Sequence, residues 1–268
     1  MRLLIPLTAL LAALCLWPPV ANAATAGNPE NIEQIQAAVD PDSFSFIVLG
    51  DSVGGDDVFA ALIEQINALE PDFVWHLGDV ATHGKPEEFD SYFEIAAGID
   101  VPMVAIPGNH DVRDSLDVYV GYFGVRNWSF DIGESRFIGL DNSNYRFDTE
   151  TLDFAKAKLD TDKPCYIAFH CPPHIERWAH HGMRPDENKG RGREMIDVIG
   201  DSNAQYVFLG HIHLHDQMEI RGVPYVICGG GGSALHSRYG FGIAEHGFLH
   251  VRVINKKPTI RWISLKSG

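Results

Sequence analysis

The sequence predicts an α/β domain whose first half forms a parallel sheet. Three short apolar segments are typical of buried strands, and each ends in glycine and a polar residue: 44–49, 73–77 and 103–106. Between them lie two stretches with apolar residues at helical spacing, 58–69 and 87–97. This strand–helix–strand–helix–strand order favours parallel strands joined by right-handed crossovers.

The second half of the chain mixes strands and helices. A strand at 136–140 precedes a helix at 152–159, and a strand at 165–169 precedes a helix at 193–199. After a further strand at 206–209 come four short strands without helices between them, which favours an antiparallel region. Those four strands are predicted over 218–220, 225–228, 247–253 and 259–264.

The first 23 residues have the pattern of a signal peptide. An apolar run over 3–17 follows a single positive charge at Arg2, and residues 21–23 (Ala-Asn-Ala) have the small-x-small form that signal peptidase cleaves. A membrane anchor is the alternative, but the run is shorter than the ~20 residues that span a bilayer and two prolines interrupt it. We therefore expect an exported protein, periplasmic or secreted, with no membrane span after cleavage.

The rest of the chain is expected to form one domain. Residues 24–42 are polar and turn-rich, so we expect a loose lead-in there. Residues 43–268 would form the domain itself, which fits the usual range of ~50–250 residues.

The chain is strongly acidic, with 36 Asp and Glu residues against 21 Lys and Arg residues and a formal net charge of −15 at pH 7. This balance argues against non-specific binding to nucleic acid or to an anionic membrane. Small phosphorylated molecules stay open as partners, because bound metal ions would dominate the local field. Solubility is the plainer account of the acidity, and the sequence gives no indication of the oligomeric state.

Three cysteines follow the predicted signal peptide. Cys165 and Cys171 are expected at opposite ends of one strand, too far apart for a disulfide. Cys171 and Cys228 both fall at strand ends near one edge, so a bridge between them stays open in an oxidising compartment. Buried free thiols are the favoured interpretation.

Polar side chains follow the carboxyl ends of the predicted strands. The series is Asp51, Asp79, Asn109, His170 and the pair His211 and His213. Ligands bind beyond this edge of open α/β sheets, so we expect these side chains to converge. Carboxylate, amide and imidazole groups without a thiolate suit hard and borderline metal ions. Any one of these residues alone is more simply a turn residue, but that interpretation must then hold for every block at once.

Two candidate catalytic residues lie inside this series. His110 is better placed for proton transfer or charge stabilisation than for metal binding. Asp111 beside it is expected to fix the tautomer of His110 or to raise its pKa. A carboxylate can bridge two cations ~3.5–4 Å apart, and such a pair polarises a phosphoryl oxygen and activates water. The residue types therefore predict a two-metal hydrolytic site.

These ordered blocks resemble the calcineurin-like metallophosphoesterase family over residues 44–265. The blocks are Gly50-Asp51, Gly78-Asp79, Gly108-Asn109-His110-Asp111, His170 and Gly210-His211-Ile212-His213. A single Gly-Asp pair is weak evidence for the family. The four-residue block followed by a lone His and then Gly-His-x-His is a specific combination. The resemblance implies a four-layer fold, with two mixed β-sheets packed face to face and flanked by helices. It also implies hydrolysis of phosphate mono- or diesters, with metal-bound hydroxide as the nucleophile.

The resemblance also implies roles for individual residues. The ligands of one metal ion would be Asp51, Asp79 and His213. The ligands of the other would be Asp79 as the bridge, Asn109, His170 and His211. His110 would protonate the leaving oxygen or steady the scissile phosphate. The expected cofactors are two divalent or trivalent ions of the Mn, Fe or Zn class.

The first block departs from the family pattern. It usually reads Asp-x-His, but Val53 occupies the third position here. Thr82 stands where the purple acid phosphatase branch carries a Tyr, so no iron–tyrosinate chromophore is expected. Water is the favoured replacement ligand and His83 the second choice; a weak or empty first site is the remaining alternative. The alternative function is a degenerate relative that binds a phosphorylated ligand or one metal ion without turnover.

Two further segments bear on the substrate. Residues 172–193 form a Pro-, His- and Arg-rich insertion that we expect to overhang the site, with Arg184 and Arg191 as candidate substrate-binding residues alongside His83. The alternative interpretation, that residues 172–193 form a solvent-exposed loop without a binding role, has equal weight. The glycine run 229–232 is predicted as a flexible turn near the site, because no nucleotide-binding loop pattern follows it.

Overall fold

The computed structural model describes residues 27–266, and the expected signal peptide lies outside that range. Within it the chain forms six α-helices and eleven β-strands, with two short 3-10 helices at Glu176–Trp178 and Pro185–Asn188. The helices are α1 Asn28–Ala38, α2 Asp56–Asn67, α3 Pro86–Ala96, α4 Leu116–Phe123, α5 Thr149–Leu159 and α6 Arg191–Gly200. The strands are β1 Ser43–Leu49, β2 Phe73–His76, β3 Met103–Ala105, β4 Trp128–Ile132, β5 Ser135–Gly139, β6 Cys165–Ala168, β7 Ala204–Leu209, β8 His215–Ile220, β9 Val223–Cys228, β10 Gly247–Ile254 and β11 Lys257–Ser264.

The strands form two mixed sheets. The first has the order β11-β10-β1-β2-β3, in which β1, β2 and β3 are parallel and β10 and β11 are antiparallel. The second has the order β4-β5-β6-β7-β9-β8, with parallel pairing from β5 to β9 and antiparallel strands at both edges. The predicted parallel first half and the late antiparallel pairs, β8 with β9 and β10 with β11, are confirmed.

An aromatic core holds the two sheets face to face. Phe46 on β1 meets Phe137 on β5 edge-on, with ring centroids 5.4 Å apart, and Trp75 on β2 lies 5.9 Å from Phe208 on β7. Helices α2, α3 and α4 cover the outer face of the first sheet, and α5 and α6 cover the outer face of the second. The central strands of each sheet are therefore buried on both faces, which confirms the predicted four-layer α/β fold.

Helix α1 occupies a stretch that was expected to be loose. Asn28 donates from Nδ2 to the carbonyl of Ala105 at 2.9 Å and accepts the N–H of Ala105 at 2.8 Å. Asn31 donates to the carbonyl of Met103 at 2.7 Å, and Ile35 is buried between the sheets. These asparagines take the place of a neighbouring strand along the open edge of β3. The expectation of a loose lead-in over 24–42 is therefore wrong for residues 28–38.

The three cysteines at 165, 171 and 228 are buried free thiols, in agreement with the favoured interpretation. Cys228 contributes its thiol to the core and contacts the carbonyl of Val48, with Sγ 3.0 Å from the oxygen. Among residues 27–266, no helix has the length and apolar character needed to cross a membrane.

Candidate metal centre

The predicted ligands gather beyond the carboxyl ends of β1, β2, β3, β6 and β7. Three of them adopt a left-handed backbone conformation that is uncommon outside glycine: Asp51 (φ 63°), Asp79 (φ 58°) and His211 (φ 70°). The N–H of Asp51 donates to the carbonyl of Gly78 at 2.9 Å, and the N–H of His211 lies 3.0 Å from both carboxylate oxygens of Asp51. Strained backbone held by such bonds is concentrated at functional sites.

One group of ligand atoms comes from Asp51, Asp79 and His213, and these atoms all lie within 4.8 Å of one another. Nε2 of His213 lies 3.5 Å from Oδ1 of Asp51. Nδ1 of His213 lies 2.9 Å from the carbonyl of Ala234, which can only accept, so Nδ1 carries the proton. The lone pair on Nε2 therefore faces a fully buried carboxylate.

A second group surrounds His170, which is also fully buried. Its Nε2 lies 3.3 Å from Oδ2 of Asp79 and 3.2 Å from Oδ1 of Asn109. Its Nδ1 donates to the carbonyl of Leu77 at 2.7 Å, so Nε2 of the neutral ring is an acceptor. With the ring neutral, three buried acceptors face one another, an arrangement that is costly unless a proton or a metal ion lies between them. A metal ion satisfies all three at once, so the residues fit the implied cofactor.

The pKa shifts of the cluster also favour a bound cation. Burial opposes the charged form of His170, but the carboxylates of Asp79 and Asp51 raise its pKa to about 10. Burial raises the pKa of Asp51 to about 6, although His170 and His213 pull in the other direction. The cluster therefore draws in positive charge, and a metal ion that binds here must displace a proton.

His211 completes the second group. Its ring lies 5.2 Å from that of His170, measured between centroids. Burial and the neighbouring His170 lower the pKa of His211 to about 3, so its imidazole is neutral and free to bind metal. The thiol of Cys171 lies within 4.8 Å of ligand atoms of both histidines, a neighbour that the sequence analysis did not assign to the site. Burial raises the pKa of Cys171 well above its usual value, so the thiol stays protonated.

His110 lies at the edge of the cluster, and three contacts orient it. Its backbone N–H donates to Oδ1 of Asp79 at 2.8 Å. Its Nδ1 donates to the carbonyl of Thr82 at 3.0 Å, and its Nε2 lies 3.1 Å from Nη2 of Arg113. Burial lowers the pKa of His110, against the opposing charge of Asp79. The ring is therefore held with Nε2 on the Arg113 side.

Asp111 does not have the predicted contact with the His110 ring. Its carboxylate is fully buried and accepts four backbone N–H groups, from Asp79, Val80 and Gly108 at 2.8 Å and from Ala81 at 2.9 Å. The expectation that Asp111 fixes the tautomer of His110 is therefore wrong, since the carbonyl of Thr82 does so. Asp111 instead fastens together the loops that carry Asp79 and Asn109.

Two glycine segments allow the loops to approach closely. A Cβ on Gly108 would lie 2.2 Å from Oδ1 of Asp79, so no larger residue fits there. The glycine run 229–232 is buried, and its Gly231 donates to the carbonyl of Gly50 at 2.9 Å. Ser233 donates its N–H to the carbonyl of Asp51 at 2.9 Å. The predicted flexible turn is instead a buried segment fastened to the loop after β1.

Nothing among residues 27–266 shows His83 replacing the missing histidine at Val53. Nδ1 of His83 lies 3.1 Å from Oε1 of Glu88, and its side chain is 60% exposed. His83 belongs to neither group of ligand atoms. Val53 contributes a backbone contact, because its N–H donates to the carbonyl of Asp79 at 3.1 Å. Water as the replacement ligand stays a prediction.

The candidate substrate-binding arginines lie in different places. Arg184 is exposed, and its N–H donates to the carbonyl of Tyr145 at 3.1 Å. The Tyr145 ring in turn meets His211 edge-on, 5.3 Å between centroids. Arg191 starts α6 and donates from Nε to the carbonyl of Phe147 at 2.6 Å. Only Arg184 is thus joined to the cluster through a neighbour, and substrate binding by either arginine stays a prediction.

The 172–193 insertion also reaches the rim of the cluster on the side of His213. His181 is hydrogen-bonded to the hydroxyl of Tyr239, and both rings lie close to His236. His236 stacks on His213 at 4.2 Å between ring centroids. These contacts, like those of Tyr145 and Arg113, join residues that are far apart in sequence or lie outside any recognisable block, so no sequence pattern identifies them.

Solved structures share this fold at low sequence identity. A purple acid phosphatase from yellow lupin aligns with a TM-score of 0.68 and 15% identity over 84% of this chain and 52% of that chain. A dimetal phosphatase from Danio rerio aligns with a TM-score of 0.61 and 11% identity over 84% of this chain and 97% of that chain. GAP50, described as the anchor in the inner membrane complex of Plasmodium, aligns with a TM-score of 0.65 and 13% identity over 84% and 86% of the two chains. The fold is therefore common to phosphatases and to a protein described by another role.

Relatives by sequence are named phosphodiesterases and phosphatases. A 3',5'-cyclic-nucleotide phosphodiesterase from Nostoc sp. is 27% identical over 63% of this chain and 66% of its own length. A probable glycerophosphodiester phosphodiesterase, GpdQ, from Arcobacter nitrofigilis is 30% identical over 59% of this chain and 64% of its own length. The alignments span about two thirds of these relatives. A family model described as calcineurin-like phosphoesterase matches residues 44–215, which is more than half of the chain. The chain belongs to the calcineurin-like phosphoesterase family.

Proposed function

We propose that this protein hydrolyses phosphate esters at a dinuclear metal site. The observation that carries the proposal is the meeting of three buried ligand-type atoms: Nε2 of His170 lies 3.2 Å from Oδ1 of Asn109 and 3.3 Å from Oδ2 of Asp79. The names of the relatives favour diesters, since two of them are a cyclic-nucleotide and a glycerophosphodiester phosphodiesterase. Phosphate monoesters stay within the proposal.

The two groups of ligand atoms support the metal ligands that we propose. Asp51, Asp79 and His213 would hold the first ion. Asp79, Asn109, His170 and His211 would hold the second. Asp79 belongs to both sets because its carboxylate is part of the first group and its Oδ2 also lies 3.3 Å from Nε2 of His170. Two bound ions of the Mn, Fe or Zn class would polarise the phosphoryl group and lower the pKa of a water, so that hydroxide serves as the nucleophile.

His110 is the residue placed to move a proton. Its Nδ1 is committed to the Thr82 carbonyl, so Nε2 is the atom available to protonate the leaving oxygen or to steady the phosphate. The bond from its backbone N–H to Asp79 keeps the ring beside the bridging carboxylate. No serine or cysteine nucleophile is required.

The test uses p-nitrophenyl phosphate and bis-p-nitrophenyl phosphate, with and without a chelator, after loading with Mn, Fe, Zn or Co. We expect metal-dependent turnover that Asp79→Asn lowers by at least ~100-fold, equivalent to about 2.7 kcal/mol of activation free energy. The exposed Asp100→Asn is the matched control, with an unchanged rate. Turnover that persists in the presence of the chelator would contradict the proposal. So would a lack of turnover with every one of the four metals.

One observation favours a second candidate function. Val53 supplies no ligand to the first group, so the protein could bind a phosphorylated compound or a single metal ion without turnover. Counting metal ions by mass spectrometry of the native protein separates the two. Two equivalents that fall with Asp79→Asn support the enzyme, and a single equivalent with no hydrolysis supports the binding protein.

We also propose that the chain is exported, because residues 1–23 have the pattern of a signal peptide. The test is the mass of the protein recovered from the periplasm or the medium of an expressing cell. A mature chain that starts at Ala24 is expected, and an uncleaved cytoplasmic chain would contradict the proposal.

A further inference from the structure

Arg113 is an arginine that both touches the candidate proton donor and has no acidic partner. It lies two residues after Asp111, and its side chain is exposed. Nη1 donates to the carbonyl of Thr82 at 3.1 Å, and Nη2 lies 3.1 Å from Nε2 of His110. Nδ1 of that ring is already the donor to Thr82, so Nε2 accepts the bond from Arg113.

Of the twelve arginines in residues 27–266, six form an ion pair with a carboxylate, and Arg113 is among the six that do not. Arg126 contacts three carboxylates, and Arg177 is paired with Asp216 at 2.7 Å. Arg113, by contrast, forms no ion pair within 4.0 Å with any residue of the 27–266 range. Its two partners are a carbonyl and an imidazole, both neutral.

We propose that Arg113 is a positioning residue that binds a phosphoryl oxygen of the substrate and thereby releases Nε2 of His110. The inference rests on the proposed function, since it assigns a contact within the same site. The ligand class is a phosphate group, either as an ester or as inorganic phosphate.

The strengths of the competing hydrogen bonds support this exchange. A guanidinium bonded to an anionic phosphate oxygen forms a charge-assisted bond, which is about twice as strong as a bond to a neutral acceptor. Its planar fork presents five donors, and the contacts to Thr82 and His110 leave the others free. A phosphate that arrives beside His110 is therefore the better acceptor for Arg113.

The exchange has a consequence for His110. While Arg113 donates to Nε2, that nitrogen has no lone pair or proton to offer a leaving oxygen. Because Nδ1 is held by Thr82, Nε2 is the one ring nitrogen that can face the substrate. Movement of the Arg113 fork onto the phosphate frees the lone pair of Nε2, which can then take a proton from water and pass it to the leaving oxygen, so substrate binding itself would prepare the proton-transfer group.

The position of Arg113 relative to the metal ligands also fits. Burial raises the pKa of the Tyr145 phenol, and the positive charges of Arg113 and Arg184 oppose that shift. The ring of Tyr145 packs against His211. Arg113 and Arg184 therefore both lie on the side of the candidate site that Tyr145 borders.

The experiment compares the wild-type protein with Arg113→Met and Arg113→Lys. The control is Arg252→Met, because Arg252 is exposed on β10 opposite Ser45, at the end of β1 remote from Asp51. Two quantities are measured on Mn-loaded protein: the Kd of inorganic phosphate by calorimetry, and KM and kcat for p-nitrophenyl phosphate. Thermal unfolding confirms that each variant is folded, and Arg113→Lys keeps the test open if the Met variant is not.

We expect Arg113→Met to raise the phosphate Kd and the KM by roughly 10-fold or more, in line with the loss of hydrogen bonds to a charged group. Arg113→Lys retains the charge without the fork and should lie between the Met variant and the wild type. Arg252→Met should match the wild type. A merely structural arginine gives a different pattern, in which kcat falls while the phosphate Kd and the KM stay unchanged, and that result would overturn the inference.

The phosphate titration also separates this inference from the proposed function. A wild-type protein that hydrolyses nothing but binds phosphate through Arg113 would contradict the enzyme and leave the anion contact standing. If the wild-type protein is active but the Arg113→Met variant has the same Kd and KM, the proposed enzyme activity stands and the anion contact of Arg113 is contradicted.

Discussion

The carboxylate of Asp111 accepts the backbone N–H of Asp79 at 2.8 Å, so a residue from the loop after β3 holds the candidate ligand Asp79 after β2. The same carboxylate accepts the N–H groups of Val80, Ala81 and Gly108. Asp79 has a left-handed backbone, with φ at 58°, and such a conformation persists only where its surroundings hold it. The geometry of the candidate metal centre therefore depends on Asp111, which belongs to neither group of ligand atoms.

Asp111→Ala is expected to destabilise the metal-free protein by about 3 kcal/mol or more, because it leaves four backbone N–H groups without an acceptor in a buried site. Urea unfolding in the presence of a chelator measures this term apart from metal binding. The exposed neighbour Asp114→Ala should change the free energy of unfolding by less than about 0.5 kcal/mol. Equal stability of the two variants would show that Asp111 does not fasten the loops.

Gly108→Ala is expected to abolish metal binding, because the added Cβ would lie 2.2 Å from both the N–H nitrogen and Oδ1 of Asp79. Either Asp79 or the loop after β3 must move. Gly121→Ala is the matched control, since its Cβ on α4 meets nothing within 4 Å. That change should leave metal binding intact and stabilise the helix by about 0.5–1 kcal/mol. The measurement is metal content after dialysis, and a Gly108→Ala protein that retains wild-type content would refute the steric argument.

Asn28→Ala tests whether α1 belongs to the domain. Asn28 is fully buried and bonds both backbone groups of Ala105, so its loss leaves the N–H of Ala105 unpaired, while Nε1 of Trp128 still donates to the Ala105 carbonyl at 2.8 Å. We expect a loss of about 2–3 kcal/mol in the free energy of unfolding, with unchanged metal content. Gln36→Ala on the same helix removes an exposed bond to Asp131 and should cost less than about 0.5 kcal/mol. A variant as stable as wild type would mean that α1 contributes nothing to the sheet edge.

The helix α1 also illustrates what the sequence could not predict. Its residues 28–38 are polar, and only Ile35 is a fully buried apolar residue, so no amphipathic stripe marks it. Asn28 and Asn31 hold the helix against β3 through hydrogen bonds to the strand backbone. Such tertiary contacts leave no local pattern in the sequence. Helix α4 was missed for a different reason: its valines and aromatic residues favour a strand, and tertiary packing overrides that preference.

The positions of the ligands, by contrast, could be predicted because they depend on local rules. Each lies directly after a buried strand, and parallel strands end at one edge. The contacts that orient those ligands were not predictable. The carbonyls of Leu77 and Thr82 fix the two key histidine tautomers, and a carbonyl carries no residue type by which to recognise it.

Val53→His is expected to strengthen the first metal position. The backbone of Val53 is fixed from both sides, since its N–H donates to the carbonyl of Asp79 at 3.1 Å and its carbonyl accepts Oγ of Ser233 at 2.7 Å. An imidazole there would stand two residues after Asp51 on a segment already bonded to the bridging ligand. We expect the weaker metal equivalent to bind roughly tenfold more tightly, or about 1.4 kcal/mol, in a calorimetric titration. Val53→Phe is the control, because it adds a ring of similar size without a nitrogen donor. Identical titrations for the two variants would show that the missing histidine is not what limits the first site.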